Sequence, residues 1–357
     1  MDIRIEEVSE RDRKGGVQPG QPLDFGKDFS DHMFQMTYSP ELGWHDAVIK
    51  QYENFSLSPA TMALHYGQLI FEGLKAYYRD DGKIGFFRAR DNLKRINESA
   101  RRMCMPTVDV EETYEAMCRQ IELDRGWVPK DEGSSLYVRP TMMGIDPLIR
   151  LKASDTYLFF VICSPVGLYY ENGLAPTRII VEEEYVRAVR GGVGFAKTAA
   201  NYAASLLPGK LAEAKGYDQV LWLDGVERCY VEEVGSMNIF FKYPDRLVTS
   251  ELNGSILPGI TRDAVIELAK SWGETVSEEK VDINRVVADI KAGEIVEVFG
   301  SGTAAVISPV GLLNYRGEDV SVNEEKTGDF TMRMYDELTG IQYGRREDPF
   351  GWTTTIG

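Results

Sequence analysis

One break constrains the fold of this chain more than any other feature. Between the apolar run YLFFVIC (157–163) and the strand-like TRIIVEEEYVR (177–187) stand Pro165, Gly167, Gly173 and Pro176. Neither a helix nor a central strand tolerates that density of breakers. The chain's 357 residues are also more than one ordinary core serves. The sequence is therefore read as a smaller N-terminal domain over 1–165, a linker over 166–177 and a larger C-terminal domain over 178–357. Residues 1–30 are polar and rich in Gly and Pro (GGVQPGQP), and are expected to form an arm.

Strand and helix patterns mix on both sides of the break. Ser58-Pro59 opens a segment with helical apolar spacing, which predicts a helix running up to Gly73. KAYYRDDGKIGFFRA reads as two strands around an Asp81-Gly82 turn. Charged amphipathic helices are predicted over 91–103 and about 111–125. SSLYVRPTMMG and YLFFVIC read as strands, the second buried on both faces. Past the break, QVLWLDG, NIFFKY, IVEVFGSG and AVISPVG are short strands. TAANYAASLLPGKLAEAKG is a helix disturbed at Pro208, and TRDAVIELAKSWGE is another. The pattern is that of an α/β or α+β protein of two domains, with a cleft expected between them.

Charge and composition exclude several classes of function. Forty Lys+Arg against 56 Asp+Glu give a net charge of −16. Nucleic acid and anionic lipid both want a basic face, so neither is expected as a partner. His32, His45 and His65, and Cys104, Cys118, Cys163 and Cys229, are scattered without metal-ligand spacing, and no metal is expected. The N-terminus is acidic and lacks an apolar stretch, and no run is long enough to span a membrane. A soluble, cytoplasmic protein is expected.

The chemistry centres on RGGVGFAKTAANY (190–202). A glycine-rich loop delivering one lysine has three readings. It can be a tight turn with a solvated lysine. It can be a phosphate loop, since Gly191 through Lys197-Thr198 misses the nucleotide-loop pattern at one position, with VLWLD (220–224) as the acidic strand. Ala196 then stands where a glycine should let the amides close round a phosphate. Or Lys197 is a Schiff-base lysine, an amine held in a cleft for an aldehyde cofactor, of which pyridoxal phosphate is the common one. That cofactor also needs an acid for its pyridine nitrogen, cationic and amide donors for its phosphate, and a hydroxyl for its phenolic oxygen.

Candidates for each are present. YVEEVGSMNIFF (230–241) sets Glu232 and Glu233 before a strand, although most glutamates are surface acids. LPGITRDAVIELAK (257–270) sets Pro-Gly before a helix, which aims the amides of Ile260 and Thr261 out of a positive helix end. FGSGTAAVISP (299–309) is a strand and a small-residue turn, as suited to core packing as to a binding loop.

Together these segments resemble one family. FEGLKAYY (71–78), FFRARDNLKRINESARRMCMP (86–106), LYVRPTMMG (136–144), GFAKTAANY (194–202), EEVGSMNIFF (232–241), LPGITRDA (257–264) and GSGTAA (300–305) occur in the order found in branched-chain amino acid aminotransferases. These are fold-type IV pyridoxal-phosphate enzymes. The resemblance runs from about residue 30 to the C-terminus.

It implies two α/β domains with the active site at their interface. It implies ping-pong transfer of an amino group from L-leucine, L-isoleucine or L-valine to 2-oxoglutarate, giving L-glutamate. Lys197 would hold the cofactor and shuttle the proton. Glu233 would pair with the pyridine nitrogen, with Glu232 its outward-facing neighbour. Tyr202 would bond the phenolic oxygen, and Arg95, Ile260, Thr261 and Thr303 the phosphate.

For the substrate, Thr303 and Ala304 would take the α-carboxylate, and Arg139 the side-chain carboxylate of glutamate or 2-oxoglutarate. Tyr66, Phe71, Tyr137 and Tyr169 would wall an apolar pocket. Ile149 and Leu151 would reach a partner subunit's pocket, implying a homodimer. Ala305 and Ser308 replace a CxxC redox pair found in some animal members, and Phe195 is a bulky residue for the loop before Lys197. The nearest alternative is another fold-type IV enzyme, a D-amino acid aminotransferase or an aminodeoxychorismate lyase.

Overall fold

The computed structural model describes residues 1–167 and 174–356. Tyr169, expected in the substrate wall, lies outside the described residues. The chain is mixed α/β and divides into two compact units. The first takes in 1–167 with 196–199 and 340–356, and the second 174–195 and 200–339. Two segments beyond the expected linker thus belong to the first unit, and one of them carries Lys197.

The first unit contains β1 (Arg4–Ile5), β2 (His32–Ser39), β3 (Gly43–Gln51), α1 (Met62–Tyr66), β4 (Leu69–Phe71), β5 (Leu74–Tyr78), β6 (Ile84–Phe87), α2 (Ala89–Arg102), α3 (Val110–Leu123), β7 (Ser135–Gly144) and β8 (Tyr157–Val166). One sheet runs β1-β3-β2-β8-β7-β5-β6, ends on the strand Thr353–Ile356, and has β4 on β7. The antiparallel ladder of β7 and β8 runs unbroken from Ser135 opposite Val166 to Gly144 opposite Tyr157. Leu93, Ile96 and Ala100 repeat along one stripe of α2 and are buried with Phe34, Phe86 and Phe159 in this unit's core. Each large side chain buried there contributes about 1.5–3 kcal/mol. Asp109 caps α3 by accepting the Glu112 N–H at 2.9 Å, worth about 1 kcal/mol.

The helix expected up to Gly73 is only α1. Gly67 takes φ 64° as its left-handed C-cap and stops it. Leu69–Phe71 then pair with Thr141–Met143 of β7. Periodicity cannot see that long-range ladder, and it overrides the local pattern. The N-terminal arm is tied down. The Val8 N–H donates to Nε2 of buried His32 at 3.0 Å, and His32 Nδ1 lies 2.6 Å from Asp124. The Lys14 N–H donates to Asp31 at 3.0 Å.

Further along come β9 (Thr177–Glu182), α4 (Ala199–Ala203), α5 (Leu206–Ala214), β10 (Gln219–Leu223), β11 (Val231–Val234), β12 (Met237–Lys242), β13 (Arg246–Ser250), α6 (Ile260–Ser271), β14 (Thr275–Glu279), α7 (Ile283–Lys291), β15 (Glu297–Gly302), β16 (Val306–Tyr315), β17 (Glu318–Ser321) and α8 (Asp329–Gln342). The second sheet runs β11-β10-β9-β16-β15-β12-β13-β14, with β17 on β16. β11 also pairs with β12, so β9–β12, β15 and β16 close into a ring. Inward residues of these strands, among them Leu221, Ile239, Phe241 and Val298, pack with Ile283 and Val286 of α7 in this unit's core. Pro208 does not interrupt a helix as expected. The break falls at 204–205, and Pro208 sits in the first turn of α5, where its missing N–H costs nothing. Among the described residues no helix is long and apolar enough to cross a membrane.

Candidate active site

In the first unit the peptide of Lys197 is fixed from two sides. Its N–H donates to Ser99 Oγ on α2 at 2.9 Å, and its carbonyl accepts the Phe71 N–H at 3.0 Å. Thr198 Oγ1 donates to the Leu69 carbonyl at 2.8 Å, and Thr198 bridges Ile70. The lysine therefore sits against β4, and the helix that follows, α4, has only five residues. A strand, loop and full helix are what a nucleotide loop requires, and they are not formed here.

The Lys197 ammonium stands 5.2 Å from the centre of the Phe71 ring. The Arg139 guanidinium stands 4.5 Å from the same ring and 5.1 Å from that of Tyr137, whose Oη accepts from Arg139 Nη2 at 2.9 Å. Phe71, Tyr137, Arg139 and Lys197 are thus brought together. Gly73 is required beside them, since a Cβ there would lie 1.9 Å from the Tyr137 hydroxyl. Sequence reasoning missed Phe25. Its ring meets that of Tyr137 edge-on at 4.9 Å, and nothing in the composition of the arm singles it out. Tyr66 ends α1 at 39% exposure, 6.3 Å from the His65 ring.

Arg95, on α2, is buried and paired. Its Nε and Nη2 donate to the two oxygens of Glu72 at 2.7 and 2.9 Å. Burial pushes the Glu72 carboxyl up. Arg95, Lys197 and Asn92 outweigh burial and hold it below the usual carboxylate range. Sequence reasoning missed Glu72 as well, although it stands in the quoted FEGLKAYY.

In the second unit Glu233 is buried on β11. Its Oε1 accepts the Leu257 N–H at 2.7 Å and lies 3.1 Å from Nη2 of buried Arg187. The same nitrogen donates to the carbonyls of Gly194 and Ser255, tying the glycine loop to the acid. Glu232 is not outward-facing. It is as buried as Glu233, because the β10–β11 register shifts here. Trp222 faces Glu233 and Leu223 faces Val231, which makes Glu232 an extra residue in the strand and breaks the simple in-and-out alternation. Ser255 Oγ and Asn253 Nδ2 donate to it, and burial raises its carboxyl above the ordinary value despite them.

Ile260 and Thr261 form the first turn of α6, whose N-cap residue, Gly259, has no side chain to cap it. Their amides point out of the positive helix end. Thr303, Ala304 and Ala305 form the three-residue turn from β15 to β16, half-buried, and Val306 after it takes φ 63°. That angle is strained for a β-branched residue and marks a turn held by its surroundings. Tyr202 is half-buried on α4. Ile149 and Leu151 are 67% and 81% exposed.

Residues 69–313 match the model of the amino-transferase class IV family. A branched-chain-amino-acid aminotransferase 2 from Bacillus subtilis (strain 168) is 50% identical, the match covering 99% of this chain and 97% of that one. Among solved structures, a branched-chain aminotransferase from the thermophilic archaeon Thermoproteus uzoniensis with norvaline is similar with a TM-score of 0.77 at 25% identity, covering 91% of this chain and all of that one. A T.th. branched-chain amino acid aminotransferase with pyridoxamine 5'-phosphate is similar with a TM-score of 0.75 at 25% identity, covering 92% and 100%.

Proposed function

The chain belongs to the class IV aminotransferase family, and from that premise we propose that it is a branched-chain amino acid transaminase with the fold-type IV architecture. It moves the amino group of L-leucine, L-isoleucine or L-valine to 2-oxoglutarate, leaving the branched 2-oxo acid and L-glutamate. The observation that carries this reading is the 50% identity to a branched-chain aminotransferase along nearly the whole chain.

Pyridoxal phosphate is the family's cofactor, and the donor set fits it. Lys197 supplies a primary amine on a backbone fixed by Ser99, and Arg95 on the same helix as Ser99 supplies a guanidinium oriented by a carboxylate. A helix start with glycine at its N-cap supplies amides, and a buried carboxylate is paired with an arginine. Lys197 Nζ would carry the cofactor and move the proton from substrate Cα. Arg95, Ile260, Thr261 and Thr303 would hold the phosphate, a guanidinium and helix amides being matched to its oxygens. Glu233 would pair with the ring nitrogen and Tyr202 with the phenolic oxygen. The cofactor supplies the carbonyl that takes the amino group and a ring that spreads the charge developing at Cα.

Thr303 and Ala304 would take the α-carboxylate. Arg139 would take the second carboxylate of 2-oxoglutarate, at the rim of an apolar wall of Phe71, Tyr137, Tyr66 and Tyr169. That pairing lets one pocket serve both half-reactions. The exposure of Ile149 and Leu151 supports a homodimer, with these side chains reaching the partner's pocket. The site parts fall on both sides of the expected linker, which supports a two-domain organisation.

The test is a steady-state assay of glutamate formation from 2-oxoglutarate. L-Leucine, L-isoleucine and L-valine are each expected to support turnover with parallel double-reciprocal lines, the mark of a ping-pong reaction. Lys197→Ala is expected to lose it. Turnover with D-amino acids and none with the branched L-amino acids would overturn the assignment.

A further inference from the structure

Glu72 is bonded to Arg95 and interacts with Lys197, the residues to which the proposed function gives the cofactor's phosphate and its carbonyl, yet that function assigns it nothing. It is completely buried. Besides the two Arg95 bonds, its Oε2 accepts from Asn92 Nδ2 at 2.9 Å and from the Gly73 N–H at 3.2 Å. Asn92, Arg95 and Ser99 share one face of α2 at helical spacing. That single face therefore orients the carboxylate, carries the guanidinium and fixes the lysine's peptide through Ser99. The Phe71 amide, immediately before Glu72, fixes the same peptide from the other side.

Two consequences follow from charge and geometry. An arginine side chain has many rotamers, and a bidentate carboxylate removes most of them before any ligand arrives. A buried negative charge also stabilises a neighbouring positive one, and Lys197 bears electrostatically on Glu72. Of the first unit's charged groups, Glu72 interacts electrostatically with Lys197, and Arg95 of α2 is paired to that same carboxylate. Near the same Phe71 ring stands Arg139 of β7, bonded to Tyr137. Of these groups Glu72 is the carboxylate.

We propose that Glu72 is a positioning residue that locks the Arg95 guanidinium for the cofactor's phosphate and holds positive charge on Lys197 Nζ. This rests on the reading that Lys197 and Arg95 hold pyridoxal phosphate. Glu72→Gln keeps the shape but removes the charge, and it turns an amide N–H₂ toward a guanidinium that can only donate. Glu72→Asp keeps the charge and shortens the reach.

The experiment titrates the visible absorption band of the cofactor-loaded protein with pH and measures the cofactor's dissociation constant on cofactor-free protein. For Glu72→Gln the band's pH midpoint is expected to fall by about one pH unit and the dissociation constant to rise about tenfold. Glu72→Asp is expected to keep the wild-type midpoint while binding more weakly. An unmoved midpoint in Glu72→Gln would overturn the charge role, and unchanged affinity would overturn the orienting role. Should Glu72→Gln not fold, a midpoint in Glu72→Asp displaced by a full pH unit would overturn the proposal, and a wild-type midpoint with weaker binding would support it. A wild-type protein that takes up no cofactor would instead overturn the reading on which the proposal stands.

Discussion

Glu72 in the first unit and Glu232 in the second are both buried glutamates, and their surroundings drive them in opposite directions. Glu72 meets a guanidinium along both oxygens, with a lysine bearing on it, and is held below the ordinary carboxylate range. Glu232 meets a serine hydroxyl and an asparagine amide, and burial leaves it above that range. Glu72 is the more deeply buried of the two and is nonetheless the one held low, so depth does not decide. What differs is the set of donors: a guanidinium and a lysine bear on Glu72, whereas the two donors on Glu232 are neutral and too few to offset burial.

The strongest way to break this contrast is to strand the charge. Arg95→Ala leaves Glu72 buried without its cation and is expected to cost about 3–5 kcal/mol, read as a lowered denaturation midpoint. Glu72→Gln is expected to cost about 2–3 kcal/mol near neutral pH, since charge-assisted bonds become ordinary ones. Its acid limb sharpens the point. A depressed carboxyl stabilises the fold above the ordinary carboxylate value and loses that contribution as pH falls through its folded value. The variant should therefore lose less stability than wild type on acidification, and equal losses would contradict the pairing.

A buried cation supplies the mirror case. Lys75, on β5, is pushed down from 10.5 to about 8 by burial. The unfolded chain binds its proton more tightly, so stability should rise with pH between these values. Lys75→Met is expected to remove that rise, read from denaturation midpoints across this pH range. The smallest effect belongs to Glu232. Its raised carboxyl lowers stability as pH rises past the unfolded value, so Glu232→Gln is expected to stabilise by about 0.5 kcal/mol at pH 7. A loss of several kcal/mol would show that Glu232 is held as an anion after all.

The contrast also marks what the sequence can convey. The turn at Gly82, the span of α2 and the ladder of β8 were legible because each is written in adjacent residues: a turn dipeptide, a helical stripe, an apolar run. Lys197, Glu233 and the α6 start were legible as motifs. Glu72 stood inside one of those motifs, but its value comes from Arg95, 23 residues on, and no local period encodes that meeting. Strand alternation would turn Glu232 out if Glu233 points in, and the register shift against β10 at this point breaks that alternation. Phe25 gained its place only when the arm folded back on Tyr137. The helix expected up to Gly73 failed for the same reason, a distant strand taking its second half.

The most direct test of transamination at Lys197 is the visible absorption of the protein loaded with pyridoxal phosphate. A yellow band is expected that bleaches on adding L-leucine and returns on adding 2-oxoglutarate, and that Lys197→Ala lacks. A loaded protein whose band ignores L-leucine and bleaches with a D-amino acid, or a protein that stays colourless with the cofactor, would contradict the account.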